Sequence, residues 1–272
     1  MNYDEPPSGC HHYTSLDEVP WEIQKYWQQR YNIFSKYDEG IWMTDDAWFG
    51  VTPEPVADKI ANHITQSASK DKKTIIDCFA GAGGNAIAFA KSGRWDRIFA
   101  IEKDPYVLQC AKHNAEVYGV SNKIWWIEGD CFDIMKKRLA TVGKDSVIFA
   151  SPPWGGPGYS SDAIFCLSTM QPYSLNDLVV PMSKVTMDIV LYLPRTSDVR
   201  QLARYAPNGK KTPIIHYCMN GASKALCVYY GDFKFGIDHK SQENEGSYGS
   251  NRNQSIENGV NRNRGSFLCQ SQ

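Results

Sequence analysis

An α/β fold with a mainly parallel, seven-stranded sheet is predicted by three observations. From Thr74 to Leu193 short apolar runs alternate with amphipathic stretches, and a repeating βα pattern asks for parallel strands with helices on both faces. A Gly-rich turn, Gly81-Ala82-Gly83-Gly84, follows the first run and opens a helix, an arrangement that frees backbone N–H groups for a ligand. The run Val147-Ile148-Phe149-Ala150 is stopped by Pro152 and Pro153. Neither proline can donate to a ladder, and they fall at a strand end of the kind where open α/β sheets bind ligands.

In chain order, residues 1–18 are polar and turn-rich and read as a mobile leader. Residues 19–70 read as an N-terminal helical extension covering the site. Pro20 suits a first helical turn, and Ile23, Trp27, Tyr31 and Phe34 recur at helical spacing, predicting one amphipathic helix with Trp27 and Phe34 in its core. Thr52 and Pro53 form an N-cap and first-turn pair for a helix to about residue 64. The core spans 71–231. Strands are read at 74–79, 97–102, 123–128, 146–150, 186–193, 212–219 and 224–230, with helices after the Gly turn to residue 91 and over 105–118, 132–139 and 197–205. Asn220-Gly221 joins the last two strands as a hairpin, so one of them runs antiparallel. Residues 232–272 are rich in Asn, Gln, Ser and Gly, nearly free of apolar side chains, and read as a disordered polar tail.

The chain has 272 residues, 42% hydrophobic and 22% charged, enough for one large α/β domain. No apolar run reaches the length of a membrane span, and Met1-Asn2-Tyr3-Asp4-Glu5 lacks the regions of a signal peptide, so no membrane role is expected. Eight cysteines are scattered singly with no CxxC pair, and several sit in apolar runs. They read as reduced thiols of the cytosol or nucleus, with no metal site. A net charge of −1 excludes a generic coat for nucleic acid, which would have to be gripped locally.

Three strand ends carry the first constellation. Gly81, Gly83 and Ala86 fit a nucleotide-binding turn that alone does not separate nicotinamide cofactors from S-adenosylmethionine. Glu102, closing the second strand, is placed to hold both ribose hydroxyls. Asp77, before the glycines, suits the ammonium of a methionine moiety and would repel a pyrophosphate. Asp130, just after the third strand, is placed to accept from an adenine amino group. The second constellation is Ser151-Pro152-Pro153-Trp154. A rigid proline bend with a flat aromatic ring can hold a planar amine. The Ser151 side chain and a proline carbonyl would accept from its N–H groups, so that the lone pair is aimed at a sulfonium methyl.

On these motifs the chain resembles the trimethylguanosine synthase family, the RNA cap guanosine-N2 methyltransferases. The likeness runs from about Lys25 to Gly231. It includes Lys25-Tyr26-Trp27, Trp48-Phe49, Val51-Thr52-Pro53-Glu54, the Gly81 turn, Asn114-Ala115-Glu116-Val117-Tyr118-Gly119, Leu193-Pro194-Arg195 and, most specifically, Ser151 to Pro157. The resemblance implies a Rossmann-like class I methyltransferase with S-adenosylmethionine as cofactor. It assigns Thr52, Asp77, Gly81, Glu102, Asp130 and Cys131 to the cofactor. Ser151, Pro152 and Trp154 would hold the reacting guanine, and Lys25, Tyr159 and Arg195 the cap phosphates. It implies 7-methylguanosine-capped small nuclear and nucleolar RNAs as substrates, small ribonucleoprotein proteins as partners, a monomer, and work in the nucleus, the nucleolus in particular, with the cytoplasm as a second compartment. Glu102 stands where relatives often have Asp, and Gly158 where they often have an acid.

Read without the resemblance, Lys25 and Arg195 are surface charges, Tyr159 is a packed loop residue and His216 is a satisfied core histidine. The competing functions are a class I methyltransferase acting on adenine or a glutamine amide, a cap-binding module without turnover, and a nicotinamide dehydrogenase. Trp154 and the phosphate-grip candidates favour the cap, and Asp77 and Asp130 disfavour the dehydrogenase.

Overall fold

A computed structural model describes residues 5–156, 158, 163–207, 211–219, 221–235 and 268–270, the last three through their backbone. The N-terminal extension contributes four helices: α1 (Gln24–Trp27), α2 (Arg30–Ile33), α3 (Ala47–Gly50) and α4 (Glu54–Ser67). The core then runs β1 (Thr74–Asp77), α5 (Gly84–Lys91), β2 (Arg97–Glu102), α6 (Pro105–Val117), β3 (Ile124–Glu128), α7 (Cys131–Lys137) and β4 (Ser146–Ala150). It continues with α8 (Leu175–Ser183), β5 (Ile189–Pro194), α9 (Val199–Ala203), β6 (Ile214–Met219) and β7 (Ala222–Tyr230).

The sheet order is β3-β2-β1-β4-β5-β7-β6, and β7 is antiparallel to both of its neighbours. The other five strands pair in parallel, for example Asp77 with Ala100 and with Phe149, and Ala150 with Leu191. The expected Rossmann-like sheet is thus present. A three-residue strand, β8 (Leu268–Gln270), adds in parallel to the edge at β6, inside the stretch expected to be disordered. The rest of that tail from 236 lies outside the described residues, as do Pro157 and Tyr159.

Strand alternation sends neighbouring side chains to opposite faces. Ile75, Phe149, Val190 and Tyr192 join a core shared with α4, α5 and the N-terminal extension. Ile76, Ile148, Leu191 and Leu193 join a second core under α7, α8 and α9. On α4, Val56, Ile60 and Ile64 are all buried, each worth about 1.5–3 kcal/mol when taken from water. Among the described residues no helix is long and apolar enough to cross a membrane.

Several local expectations are corrected. The single amphipathic helix around Trp27 is two short pieces, because the chain turns between them. Arg30 lies over the Trp27 ring at 3.8 Å and donates to the Trp27 carbonyl at 3.3 Å. Trp27 is buried as expected, and its indole N–H donates to Tyr13 O at 3.1 Å, whereas Tyr31 is exposed. The leader is not loose over the residues described. Cys10 is buried against α6, His11 bridges to Met43, and the Tyr13 hydroxyl donates to Asp45 at 2.8 Å. Past residue 231, Phe233 and Phe235 pack edge-on against Tyr229, so the folded unit extends to 235. Helix α8 was not foreseen. Pro181 lies inside it, but Ser174 and Asp177 close a capping box at its start.

Candidate active site

The site is built where the strand order reverses, between β1 and β4, the place at which open α/β sheets bind ligands. A cavity of about 430 Å³ opens at the C-terminal ends of β1, β2, β3 and β4, within the size range of small-molecule sites. Thr52, Gly81, Glu102, Asp130, Cys131 and Ser151 all line it. Residues scattered over about a hundred positions of sequence therefore line one cavity.

The Gly turn is shaped for this task. Gly81 and Gly83 have φ of 53° and 96°, values that side chains other than glycine's seldom adopt. A Cβ on Gly83 would also meet the Ala111 backbone at 3.3 Å, so α6 can pack closely only against glycine. Glu102 fixes the turn from below. Its Oε2 accepts from Gly81 N–H at 2.9 Å, and its Oε1 from Lys103 and Asp104 N–H at 2.8 and 3.0 Å. A carboxylate offers about four acceptor positions, so capacity remains for a ribose. Asp130 caps α7, its Oδ1 accepting from Phe132 and Asp133 N–H at 3.0 and 3.3 Å. The same cap presents Asp130 to the cavity. Cys131 and Cys78 line the adjoining wall, and the Cys131 thiol together with burial pushes the Cys78 thiol well up, so it stays protonated.

The extension closes the site from the side. Ala47, Gly50, Val51 and Thr52 line the cavity. Thr52 is 3% exposed and does not cap α4, whose N-cap is Pro53. Instead its hydroxyl accepts from Asn85 Nδ2 at 3.0 Å. Asn114, fully buried, locks this lid in place: Nδ2 donates to Ala82 O at 3.0 Å and Trp42 O at 2.9 Å, and Oδ1 accepts from Trp42 N–H at 2.8 Å. Glu54 adds a second tie. It accepts from the Ser35 amide and the Tyr118 hydroxyl, both at 2.7 Å, and pairs with Lys91 at 2.9 Å. Burial alone would raise its pKa, but these three donors outweigh it and hold the carboxyl at about 2.

Other candidates are placed differently. Asp77 is 0% exposed and is not among the residues lining the cavity, although its neighbours Cys78, Phe79 and Ala80 are. Oδ1 accepts from Phe79 N–H at 3.3 Å, while Oδ2 is buried without a partner among the described residues. Burial, with the Glu102 charge nearby, pushes its carboxyl up to about 7. Pro152 is buried, and Pro153 rather than Pro152 lines the cavity with Ser151. Trp154 is half-buried and outside the cavity. Its bend is better supported than the sequence suggests: the indole N–H donates to Tyr192 O at 3.3 Å and the ring lies 5.6 Å from that of Tyr192. Lys25 and Arg195 are exposed and line no part of the cavity. His216, half-buried on β6, bonds to Ser223 Oγ at 3.1 Å, a structural role.

Sequence reasoning missed Asn85, Phe79 and Tyr173, all of which line the cavity. Phe79 and Tyr173 pack with Phe132 as three rings, 5.2–6.4 Å apart between centroids. Phe79 lies inside the Gly-turn motif, so its proximity was readable; Tyr173 comes from a segment without a pattern. The residues fit S-adenosylmethionine. The cavity has the size, Gly81 leaves its floor open, and two buried polar atoms, Asp77 Oδ2 and Asn85 Oδ1, lack partners among the described residues.

The family model for RNA cap guanine-N2 methyltransferase matches residues 72–233. The chain is 39% identical over 213 residues to trimethylguanosine synthase of Schizosaccharomyces pombe, covering 78% of this chain and 87% of that protein. It is 31% identical over 229 residues to trimethylguanosine synthase of Saccharomyces cerevisiae, covering 82% and 72%. Among solved structures, a methyltransferase from Porphyromonas gingivalis W83 aligns with TM-score 0.58 at 14% identity over 81% of this chain, which spans 55% of that longer chain. The human methyltransferase 10 domain containing protein aligns with TM-score 0.55 at 14% identity, over 79% of this chain and 100% of that one. These two likenesses show the class I methyltransferase fold. The chain therefore belongs to the RNA cap guanine-N2 methyltransferases, S-adenosylmethionine-dependent enzymes of the cap.

Proposed function

We propose that the protein methylates the 2-amino group of 7-methylguanosine caps twice, giving 2,2,7-trimethylguanosine, with the residue roles that follow. The observation that carries them is the cavity at the β1/β4 switch point, lined by Ser151 together with Gly81, Glu102 and Asp130. S-adenosylmethionine supplies an activated methyl group on a sulfonium. Glu102 takes the ribose hydroxyls and Asp130 the adenine amino group. Asp77 Oδ2 is left to answer the ammonium, and Thr52 with Asn85 closes the near wall.

The guanine stacks on Trp154, whose pose is set by Tyr192. Ser151 and the Pro152 carbonyl accept from the 2-amino group and turn its lone pair toward the cavity; the proton it loses passes to solvent. Orientation is the main contribution asked of the protein, because the methyl donor is already activated. Lys25 and Arg195, both exposed, are assigned to the cap phosphates, where charge-assisted contacts would be strongest. Tyr159 is assigned to the same grip, although it lies outside the described residues. The same reading gives small nuclear and nucleolar RNAs as substrates, small ribonucleoprotein proteins as partners, a monomer as the working unit, and the nucleus and nucleolus as its site, with the cytoplasm second.

The test is incubation with a 7-methylguanosine cap dinucleotide and labelled cofactor, reading product mass. Products carrying one and then two added methyl groups are expected. Methylation of free adenine or a glutamine amide instead would favour the rival amine methyltransferase. Tight cap binding without product would favour a binding module.

A further inference from the structure

Outside the site, a strongly basic stretch lies just after β5. The stretch from Arg195 to Lys211 holds five basic residues and one acid, Asp198, in a protein of net charge −1, so the remainder is acidic. Lys210 lies outside the described residues; Arg195, Arg200, Arg204 and Lys211 are all exposed. Arg200 and Arg204 stand four apart along α9 and its C-cap, so they share a face. Arg200 forks onto both oxygens of Asp198 at 3.0 Å, yet its side chain keeps 77% exposure. The Arg200 guanidinium, with Arg204 beside it, holds Asp198 below the usual carboxylate range, so the one acid of the stretch is offset by its neighbours.

This strip is mechanically continuous with the substrate side of the site. Phe165 N–H donates to Thr196 O at 2.8 Å, Asp198 N–H to Phe165 O at 3.0 Å, and Ser168 N–H to Gln201 Oε1 at 2.9 Å. The segment following the Trp154 bend is thereby fastened to α9. On the other side the mouth is closed by residues 47–52 of the extension. A capped strand seated on Trp154 with its phosphates near Arg195 would meet α9 next, since Arg195 and α9 follow directly on β5.

We propose that the exposed basic residues Arg200 and Arg204 of α9 and its C-cap, with Lys211, form a track for the RNA body downstream of the cap. The inference rests on the cap-methylation reading and adds a second contact region for the same substrate. It fits a flexible single strand, whose phosphates can follow a strip of separated cations without base readout.

The test compares a cap dinucleotide with a capped single strand of about twelve nucleotides, for wild type and for Arg204→Glu/Lys211→Glu. Arg204→Gln serves as a milder second variant that leaves the Arg200–Asp198 fork intact. Wild type is expected to show a lower KM for the longer RNA. The double variant should raise that KM about tenfold near 0.1 M salt and flatten its logarithmic salt slope by about 1.4, roughly 0.7 per lost phosphate contact. Its kcat/KM on the dinucleotide should be unchanged. Equal KM values for the two substrates in wild type would overturn the track, as would a variant that loses both activities alike or neither. An acidic protein captured by this face with RNA kinetics unaffected would count as refutation too. If wild type turned over no cap at all, the parent reading would fail by itself. Fluorescence anisotropy with an uncapped strand of the same length would still read the track, as tight wild-type binding lost in the variant or as no difference.

Discussion

The two halves of the site are made in opposite ways. On the cofactor side the groups are buried or held by several bonds: Thr52, Asp77 and Cys131 are buried, and Glu102 carries three backbone N–H groups. On the proposed substrate side Lys25, Pro153 and Arg195 are exposed and Trp154 is half-buried, its indole bonded to Tyr192 O. The difference teaches that, with the roles proposed above, the cofactor pocket is ready-made whereas the proposed cap site is an exposed ledge. Mutations should therefore separate cleanly into those that cost cofactor affinity and those that cost the cap.

The largest expected effect is on the ledge. Trp154→Ala should lower kcat/KM on the methylated cap by about two to four orders of magnitude, since stacking contributes about 1–3 kcal/mol and a desolvated cation–π contact about 2 more. Calorimetric titration with S-adenosylhomocysteine should give near wild-type affinity for the same variant. A parallel loss of cofactor affinity would join the two halves and break the comparison.

Next comes Glu102→Ala on the pocket side. Losing hydrogen bonds to a charged group costs about 1.5–3 kcal/mol, a loss in S-adenosylhomocysteine affinity of roughly tenfold to a hundredfold. The melting temperature should also fall, because the Gly81, Lys103 and Asp104 amides lose their acceptor. Unchanged affinity would remove Glu102 from the ribose.

Asp77 sharpens the same half through pH. Its folded-state carboxyl sits at about 7, far above the unfolded value, so ionising it costs stability as pH rises from about 4 through 7 in the ligand-free protein. An ammonium bound against it favours the ionised form. Cofactor affinity should therefore fall as pH drops below 7, by up to about tenfold per pH unit. Asp77→Asn should abolish that slope, and a pH-independent wild-type affinity between 5.5 and 7, roughly one to two units, would remove Asp77 from the ammonium.

The smallest effect concerns the lid. Glu54 has its pKa depressed to about 2, so it contributes stability above its unfolded value near 4.3, and that contribution is lost as pH falls through 2. Lys91 is partly exposed, which weakens its share. Glu54→Gln should lower the melting temperature by about 2–4 °C at neutral pH, and the gap from wild type should close in acid. A gap that persists at pH 2 would assign the effect to packing alone.

Legibility in the sequence followed the same division. The strand ends that carry Glu102, Asp130 and Ser151 were readable because β-periodicity and glycine or proline breaks are local signals. Contacts created only by folding were not. Nothing near Asn85 announces Thr52, which lies 33 positions away, and Tyr173 reaches the cavity from a segment without a motif. Thr52 looked like a helix cap because its local sequence suits one; its tertiary partner decided otherwise. The leader read as loose because its composition is polar, yet backbone groups of residues 10–13 find partners at Met43, Trp27 and Tyr37. A broken helix at Trp27 is likewise a tertiary outcome, drawn by the Arg30 stack and the Tyr13 carbonyl.

The central claim is that Trp154 is the platform for a guanine already carrying the N7 methyl, whose positive charge the indole face attracts. Initial rates on 7-methylated and plain guanosine caps, for wild type, Trp154→Phe and Trp154→Ala, test it most directly. Wild type should prefer the methylated cap by about five- to thirtyfold, the share of a cation–π contact of roughly 1–2 kcal/mol. Trp154→Phe should keep part of the rate with a smaller preference, and Trp154→Ala should keep almost none. Equal wild-type rates on the two caps, or a near-full rate for Trp154→Ala, would contradict the account and leave Trp154 a packed turn residue.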